Sequence, residues 1–417
     1  MYESGPFASL IRYKSIEECS TACILRVFEQ DNYSNSKTVT FVENKSVSPV
    51  STPKPKNFSQ VLPSGHYWVT SLQIEGYQPP QLPRIGGEML GMQGLAGDAR
   101  VANDGIAYHC PNNMYFGGSI DVNLVRPKIQ LLNEMELFQR YFSSIHARIR
   151  YSDKGNYVVD TLRRFGGLEA TGSFIKDGST RSILDKFTSA VPEDDGSVIF
   201  LTNDQRAYLS LDAFENCLGN VERAAALVDE LIGKTLISRG YIFQCTLCRL
   251  ASWYSIDVLT SEFTCSRCAF QQQFTQAHWK QPVQPHWYYK LAETVYQFYK
   301  NDSHLTVQTL YHLKGRSKVA FHFVPEIDIF DFPSVGEKRE IDVACISDGK
   351  IVIGECKTGL LRTRDINRLE SLAKTIPKFP DSIVFSTELP AVSAEILARI
   401  AKVRNSEVLI FDDMYNA

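Results

Sequence analysis

The alternation of apolar and polar positions is most regular in the last third of the chain. Residues 340–357 read as two short strands joined at Asp348-Gly349, a two-residue hairpin signal. In the second strand the run Ile351-Val352-Ile353-Gly354 is apolar on both faces, which marks a central strand rather than an edge. Arg362–Thr375 then sets Ile366, Leu369 and Leu372 with Ala373 on one stripe, the spacing of an amphipathic helix. Ser382–Thr387 reads as a buried strand, and Ser393–Val403 as a helix with Ser393 as its N-cap. Glu407–Phe411 reads as a last strand. Upstream, Trp287–Lys300 predicts a helix with Trp287, Leu291, Val295 and Phe298 as its apolar stripe. A strand follows at Lys318–Phe323 or at Glu326–Phe332.

The first half patterns less clearly. Leu131–Ile149 and Val221–Ser238 predict helices, and the stripe of Leu132, Met135, Phe138, Phe142 and Ile145 suits a core face. Asn44–Gly65 is rich in Ser, Pro, Lys and Asn and reads as a linker. Residues 66–129 mix short β-like runs with Gly and Pro. The glycines from Gly86 to Gly97 lack the lysine and the strand–Gly–helix context of a phosphate loop. His109-Cys110-Pro111 has no evident partner, and Asp153, Asp160 and Glu193 to Asp195 read as surface charge.

Chemistry concentrates in the hairpin. Side chains alternate along a strand, so Glu355 and Lys357 project to one face, and Asp342 on the neighbouring strand can face the same cleft. Two carboxylates and a lysine at one end of a small sheet suit metal-dependent phosphodiester hydrolysis. The carboxylates hold a hard cation, Mg²⁺ or Mn²⁺, which polarises the phosphate and activates water. The lysine positions that water or stabilises developing charge. The plainer reading is a surface ion pair. Against it, charges at the end of a buried strand are costly unless paired or metal-bound. Glu340 points to the same face as an edge charge or an auxiliary ligand, and Cys356 alternates to the core side.

These residues resemble the Asp…Glu-x-Lys signature of the PD-(D/E)XK nuclease superfamily, over roughly the last third of the chain. Ile341 before Asp342 and Thr358-Gly359 after Lys357 are similar to Holliday-junction resolvases and related defence nucleases. The family's proline before the first acid is absent. The resemblance implies an α/β fold, a restriction-endonuclease-like mixed sheet flanked by helices over residues 287–417. It implies Asp342 and Glu355 as magnesium ligands and Lys357 as the catalytic lysine. Many members carry another glutamate on the first helix, which makes Glu293 a further catalytic candidate; the plainer reading of Glu293 is a solvated helix charge.

The second signal is Cys245-Thr-Leu-Cys248 followed by Cys265-Ser-Arg-Cys268. Two Cys-x-x-Cys knuckles complete a tetrahedral site, and four thiolates leave no open position, so the zinc they would hold is structural. Disulfides or a redox pair are the alternatives, and disulfides need an oxidising compartment. Residues 239–280 therefore read as a small four-cysteine zinc ribbon. Arg249, Arg267 and Lys280, interleaved with Trp253, Tyr254, Phe263, Phe270 and Phe274, either grip nucleic acid or pack a very small core. His278 and His286 are not needed as ligands. Gln271–Pro285, rich in Gln and Pro, reads as the passage from ribbon to nuclease.

Composition narrows the rest. The chain has 417 residues, 44% hydrophobic and 22% charged, with a net charge of −3, so nucleic-acid contact must come from local patches. The best patch is Lys357 with Arg362, Arg364 and Arg368, extended by Lys314, Arg316, Lys318, Lys338 and Arg339; a solvated helix face is its plainer reading. Ten cysteines in so long a chain do not imply a disulfide scaffold. With no basic apolar leader and no membrane-length apolar run, a reducing cytoplasm is expected. Residues 1–238 are expected to form an N-terminal α+β domain for recognition or docking.

The expectation is a metal-dependent DNA endonuclease acting against phage or plasmid DNA, with RNA open as a substrate. By resemblance an ATPase or sensor protein is expected as partner, and a homodimer would place two sites on opposite strands. The competing reading is a non-catalytic nucleic-acid-binding or scaffold subunit with a degenerate nuclease fold.

Overall fold

The computed structural model describes residues 133–143, 147–278, 286–318, 320–330, 339–375, 380–390, 392–403 and 405–415, and before them a set of strands by their backbones alone. Ser9–Ile11, Tyr67–Leu72, Gly105–Pro111 and Asp98–Ala102 form a four-stranded sheet in that order. Val47–Ser51 pairs antiparallel with Lys128–Leu132. The glycines from Gly86 to Gly97, the side chains of His109 and Cys110, and Lys280 and Lys338 lie outside the described residues. Among the described residues no helix is long and apolar enough to cross a membrane.

The chain is a mixed α/β protein whose contacts divide it into two compact units. The first comprises Met1–Tyr151, His312–Thr387 and Ala391–Asp412. Its centre is a six-stranded mixed sheet of β1 (Arg148–Tyr151), β2 (Phe321–Phe330), β3 (Arg339–Ser347), β4 (Lys350–Lys357), β5 (Ser382–Thr387) and β6 (Glu407–Phe411). The spatial order is β6-β5-β4-β3-β2-β1. Strands β1 to β4 run antiparallel to their neighbours, and β4, β5 and β6 run parallel. Parallel neighbours need a crossover, which a helix at Thr363–Thr375 supplies between β4 and β5, and one at Ala394–Ile400 between β5 and β6. With α1 at Glu134–Ser143, these two are α2 and α3 of this unit.

The hairpin forms where the sequence places it. Asp348 and Gly349 both take left-handed backbone (φ 49° and 80°), as a two-residue type I′ turn requires. The Asp348 carboxylate also accepts hydrogen bonds from the Ser317 hydroxyl (2.8 Å) and the Lys318 amide (2.9 Å), which fixes the chain entering β2. Ile366, Leu369, Leu372 and Ala373 are the buried stripe of α2 and join one core with Ile327, Ile341, Ile353 and Phe385. Each large apolar side chain contributes about 1.5–3 kcal/mol on full burial. Ser393 caps α3 by accepting the Ile396 amide.

Two boundaries differ from expectation here. Leu131–Ile149 is not one helix: Lys128–Leu132 is a strand, α1 begins only at Glu134, and Ile149 lies in β1. Asn133 accepts the Glu136 amide and starts the helix late, while Ile149 pairs with Ile329. Strand β2 overlaps both alternatives read upstream, because it continues through Pro325, a residue that reads as a breaker.

The second unit comprises Ser152–Tyr311, Glu388–Pro390 and Asp413–Ala417. Helices Asp153–Phe165, Leu168–Lys176 and Gly178–Thr188 precede a hairpin of Val198–Leu201 with Arg206–Leu209. Helices Leu211–Leu218 and Val221–Gly233 follow. The sheet order is Val198–Leu201, Arg206–Leu209, Tyr288–Leu291, Ile237–Gln244, Ala251–Ser255, all antiparallel. The helix expected over Val221–Ser238 thus ends at Gly233, and Tyr288–Leu291 is a strand ahead of the helix Glu293–Lys300. Long-range pairing decides both: Ile237 sits opposite Leu291. Gly240 is required here, since a Cβ would stand 2.1 Å from the Tyr254 carbonyl oxygen and 2.7 Å from the Trp253 ring.

Candidate active site and cysteine metal centre

The registers of β2, β3 and β4 line up acidic residues across the sheet. Val343 stands opposite Gly354, so Asp342 comes opposite Glu355. Pro325 stands opposite Val343 and Ile327 opposite Ile341, so Glu326 comes opposite Asp342; Asp328 pairs with Glu340. Directly opposed residues share a face, and so do residues two apart along a strand. Glu326, Asp342 and Glu355 therefore form one row, and Asp328, Glu340 and Lys357 the next.

Burial makes this row chemically unusual. Glu326 is 2% exposed, Asp342 7% and Glu355 3%. Carboxylate oxygens of Glu326, Glu340 and Asp342 lie within 4.8 Å of one another, a spacing that one divalent cation can bridge. Asp342 accepts the Cys356 amide at 2.8 Å, and Lys357 Nζ lies 2.7 Å from Glu355 Oε1. Burial acts to lower the Lys357 pKa, but the bond and charge of Glu355, with Asp342 and Asp365, outweigh it and raise it above the usual lysine value. Lys357 is therefore an ammonium at neutral pH. Asp328, also buried, is answered by Arg150 of β1 at 3.5 Å.

The structure thus brings Asp342, Glu355 and Lys357 together. It adds Glu326, which the strand pattern conceals because Pro325 splits it. A signal is present all the same: the triplet Glu-Ile-Asp occurs twice, at residues 326–328 and 340–342, on strands that pair antiparallel. Glu326 takes left-handed backbone (φ 49°), rare for a non-glycine residue inside a strand. Glu293 lies in the other unit, where Arg206 holds its carboxylate at 2.6 Å and Gln297 donates to it at 2.8 Å. Arg362, Arg364 and Arg368 are exposed on and beside α2.

The four knuckle cysteines form a second cluster. Cys245 Sγ lies 3.7 Å from Cys268 Sγ, and Cys248 Sγ 3.6 Å from Cys265 Sγ. Those separations exclude disulfides and match the sulfur–sulfur edge of about 3.8 Å in a tetrahedral zinc tetrathiolate with bonds near 2.3 Å. The cluster can hold a metal such as zinc. The two knuckles are alike in detail. Each first cysteine accepts the amide four residues on, Arg249 to Cys245 and Ala269 to Cys265, through its carbonyl oxygen. Both Arg249 and Ala269 take left-handed backbone (φ 60° and 55°). Burial pushes the Cys245 thiol up, but the amides of Cys248 and Leu247 and the neighbouring thiols outweigh it and bring the thiol to about 6. Cys265 is lowered in the same way by the Cys268 and Arg267 amides against its burial. Such groups are prepared to bind as thiolates.

Around the ribbon the aromatics divide. Phe243 and Phe263 are buried and pack a small core with Phe274 and Tyr254. His278 is buried, bonded to the carbonyls of Gln244 and Gln273. Trp287, 41% exposed, stacks on Tyr241 at 4.3 Å, with the Arg239 guanidinium 5.9 Å over its ring.

The fold and its two clusters define an α/β chain with an acidic, lysine-bearing sheet end and a four-cysteine centre. No family model and no curated protein matches it. Solved structures that resemble it include protein VC1899 from Vibrio cholerae, at 12% identity and a TM-score of 0.30, covering 67% of this chain and 58% of that one. Another is Can2 from Sulfobacillus thermosulfidooxidans in complex with cyclic tetra-adenylate, at 12% identity and a TM-score of 0.28, covering 68% and 58%. The chain thus spans 58% of the length of each.

Proposed function

We propose that the protein is a divalent-metal-dependent nuclease of the PD-(D/E)XK kind, with a structural zinc ribbon in its second unit. The observation that carries this reading is the buried row of Glu326, Asp342 and Glu355 with Lys357 beside it. Buried carboxylates as close as those of Glu326, Glu340 and Asp342 repel one another unless a cation or a proton is shared among them. Asp342 and Glu355, with Glu326 and Glu340, would hold Mg²⁺ or Mn²⁺. When bound, the ion supplies Lewis-acid polarisation of a phosphodiester and an acidified water. The chain's own residues do the rest. Asp342 is oriented by the Cys356 amide, and Glu355 holds the Lys357 ammonium where negative charge develops on the phosphate. Arg362, Arg364 and Arg368 would contact the backbone of the substrate. By its resemblance to microbial defence nucleases, foreign DNA is the proposed substrate.

The Tyr241–Trp287 stack, with Trp287 exposed and Arg239 over its ring, favours a second role for the second unit, holding a nucleic-acid strand by stacking. Binding without cleavage would survive chelation. The test is cleavage of plasmid, linear and single-stranded DNA and of RNA by the purified protein in Mg²⁺ or Mn²⁺, beside Asp342→Ala and Lys357→Ala. Metal-dependent cutting, lost in both variants with the fold intact, is the expected result; unchanged cutting in both removes this site.

A further inference from the structure

The second unit contains a cavity of about 530 Å³ that plays no part in the proposed nuclease chemistry. Its volume is that of a small-molecule site. One wall is aromatic. Tyr299 stacks on His304 at 4.4 Å and 25°, and His304 faces Tyr415 at 6.1 Å and 18°. The rim is acidic, with Asp185, Asp302, Glu388 and Asp413. Two cations also line it, and each already lies over a ring: Arg181 over Tyr415 at 4.0 Å, and Lys300 over Tyr296 at 5.4 Å. Four carboxylates against Arg181 and Lys300 leave the rim richer in acids than in bases.

The polar groups want donors. Tyr299 donates its hydroxyl to Asp185 at 2.7 Å, which orients that carboxylate. His304 Nε2 lies 2.8 Å from Glu388 Oε1, so Nε2 donates to that carboxylate and Nδ1 is left to find its own partner. That Nδ1 is buried without a hydrogen-bond partner, on a side chain only 7% exposed. Asp302 and Asp413 hold left-handed backbone (φ 63° and 50°), conformations that persist where the surroundings impose them. An anion would meet this negative rim with repulsion. A ligand that carries positive charge and offers several N–H donors complements this rim.

We propose that this cavity binds a small organic polycation, an aliphatic diamine or polyamine. One ammonium sits among the carboxylates beside His304, and the methylene chain runs through the cavity toward the remaining acids. The test is calorimetric titration of the full chain with putrescine and spermidine at low salt, with AMP and inorganic phosphate as anionic probes. Asp185→Asn and Glu388→Gln are compared by melting temperature first, so that only folded variants are scored; Asp302→Asn, at an exposed position, serves if either fails. The expected result is saturable one-to-one spermidine binding, weakened about tenfold or more by each variant, as loss of one charged hydrogen bond implies. It should be unchanged by Asp342→Ala, which separates this cavity from the acidic row of the first unit. No saturable binding overturns the proposal. So does binding indifferent to the cavity variants, or binding of AMP in place of the amines.

Discussion

Among single residues, Glu326 carries the sharpest consequence. If it shares a cation with Asp342, Glu326→Gln should retain the fold and raise the Mg²⁺ concentration for half-maximal cleavage by about tenfold. A magnesium titration of wild type and variant decides it, and identical curves would remove Glu326 from the site. Asp160 offers a separate case. Its sequence context suggests plain surface charge, yet it ties the helix Asp153–Phe165 to Thr294 on the helix Glu293–Lys300. Burial acts to raise its pKa, but the Thr294 hydroxyl and the guanidinium groups of Arg164 and Arg163 outweigh that and pull it to about 2. The folded value is depressed, so this stabilisation is fully present above the ordinary value of 3.8 and is lost as pH falls through about 2. Thr294→Val should therefore cost about 1 kcal/mol at neutral pH. The gap should close as denaturant unfolding is repeated toward pH 2.

Among the elements, the cysteine knuckles and the hairpin show how much local spacing can specify. Both knuckles close on a non-glycine residue in left-handed backbone, which costs about 1–2 kcal/mol for an L-residue. Ala269→Gly should relieve more strain than the entropy glycine adds to the unfolded chain, and so raise the unfolding free energy by about 0.5–1 kcal/mol. Equal or lower stability in a thermal melt would show that the knuckle imposes no strain there. Turns and knuckles were legible because their residues lie within a few positions of one another. Helix ends were less so. Trp287, Leu291, Val295 and Phe298 keep helical spacing, but Tyr288 to Leu291 are taken by pairing with Ile237 to Gly240, far earlier in the chain. A stripe of apolar residues fits either element, and only the partner strand settles the choice.

Across the chain as a whole, the two clusters that could hold metal fall in separate units and would make opposite demands on their ions. The cysteine centre is closed, and its ion would be part of the folding free energy. The acidic row stands on a sheet with its own apolar core, so its ion would serve chemistry alone. Transfer into Mg²⁺-free buffer without a chelator should stop cleavage and leave the melting temperature unchanged to within about a degree. Removing zinc with a thiol-competing chelator should lower the melting temperature and release one zinc per chain, measured by elemental analysis. Loss of fold on magnesium removal, or a ribbon indifferent to zinc loss, would contradict this division.

What depends on near neighbours in the chain could be read from residue order. The turn at Asp348-Gly349, the amphipathic stripe of α2, the cap at Ser393, the paired cysteines of each knuckle and the spacing that puts Glu355 and Lys357 on one face are all of this kind. Which groups meet across the sheet could be learned only from the folded chain. Folding placed Glu326 opposite Asp342, gave Asp328 to Arg150, and closed Glu293 against Arg206 from 87 residues away. Register explains the difference. A strand's own pattern says which side each residue faces, but what stands opposite depends on a partner chosen by burial over the entire core.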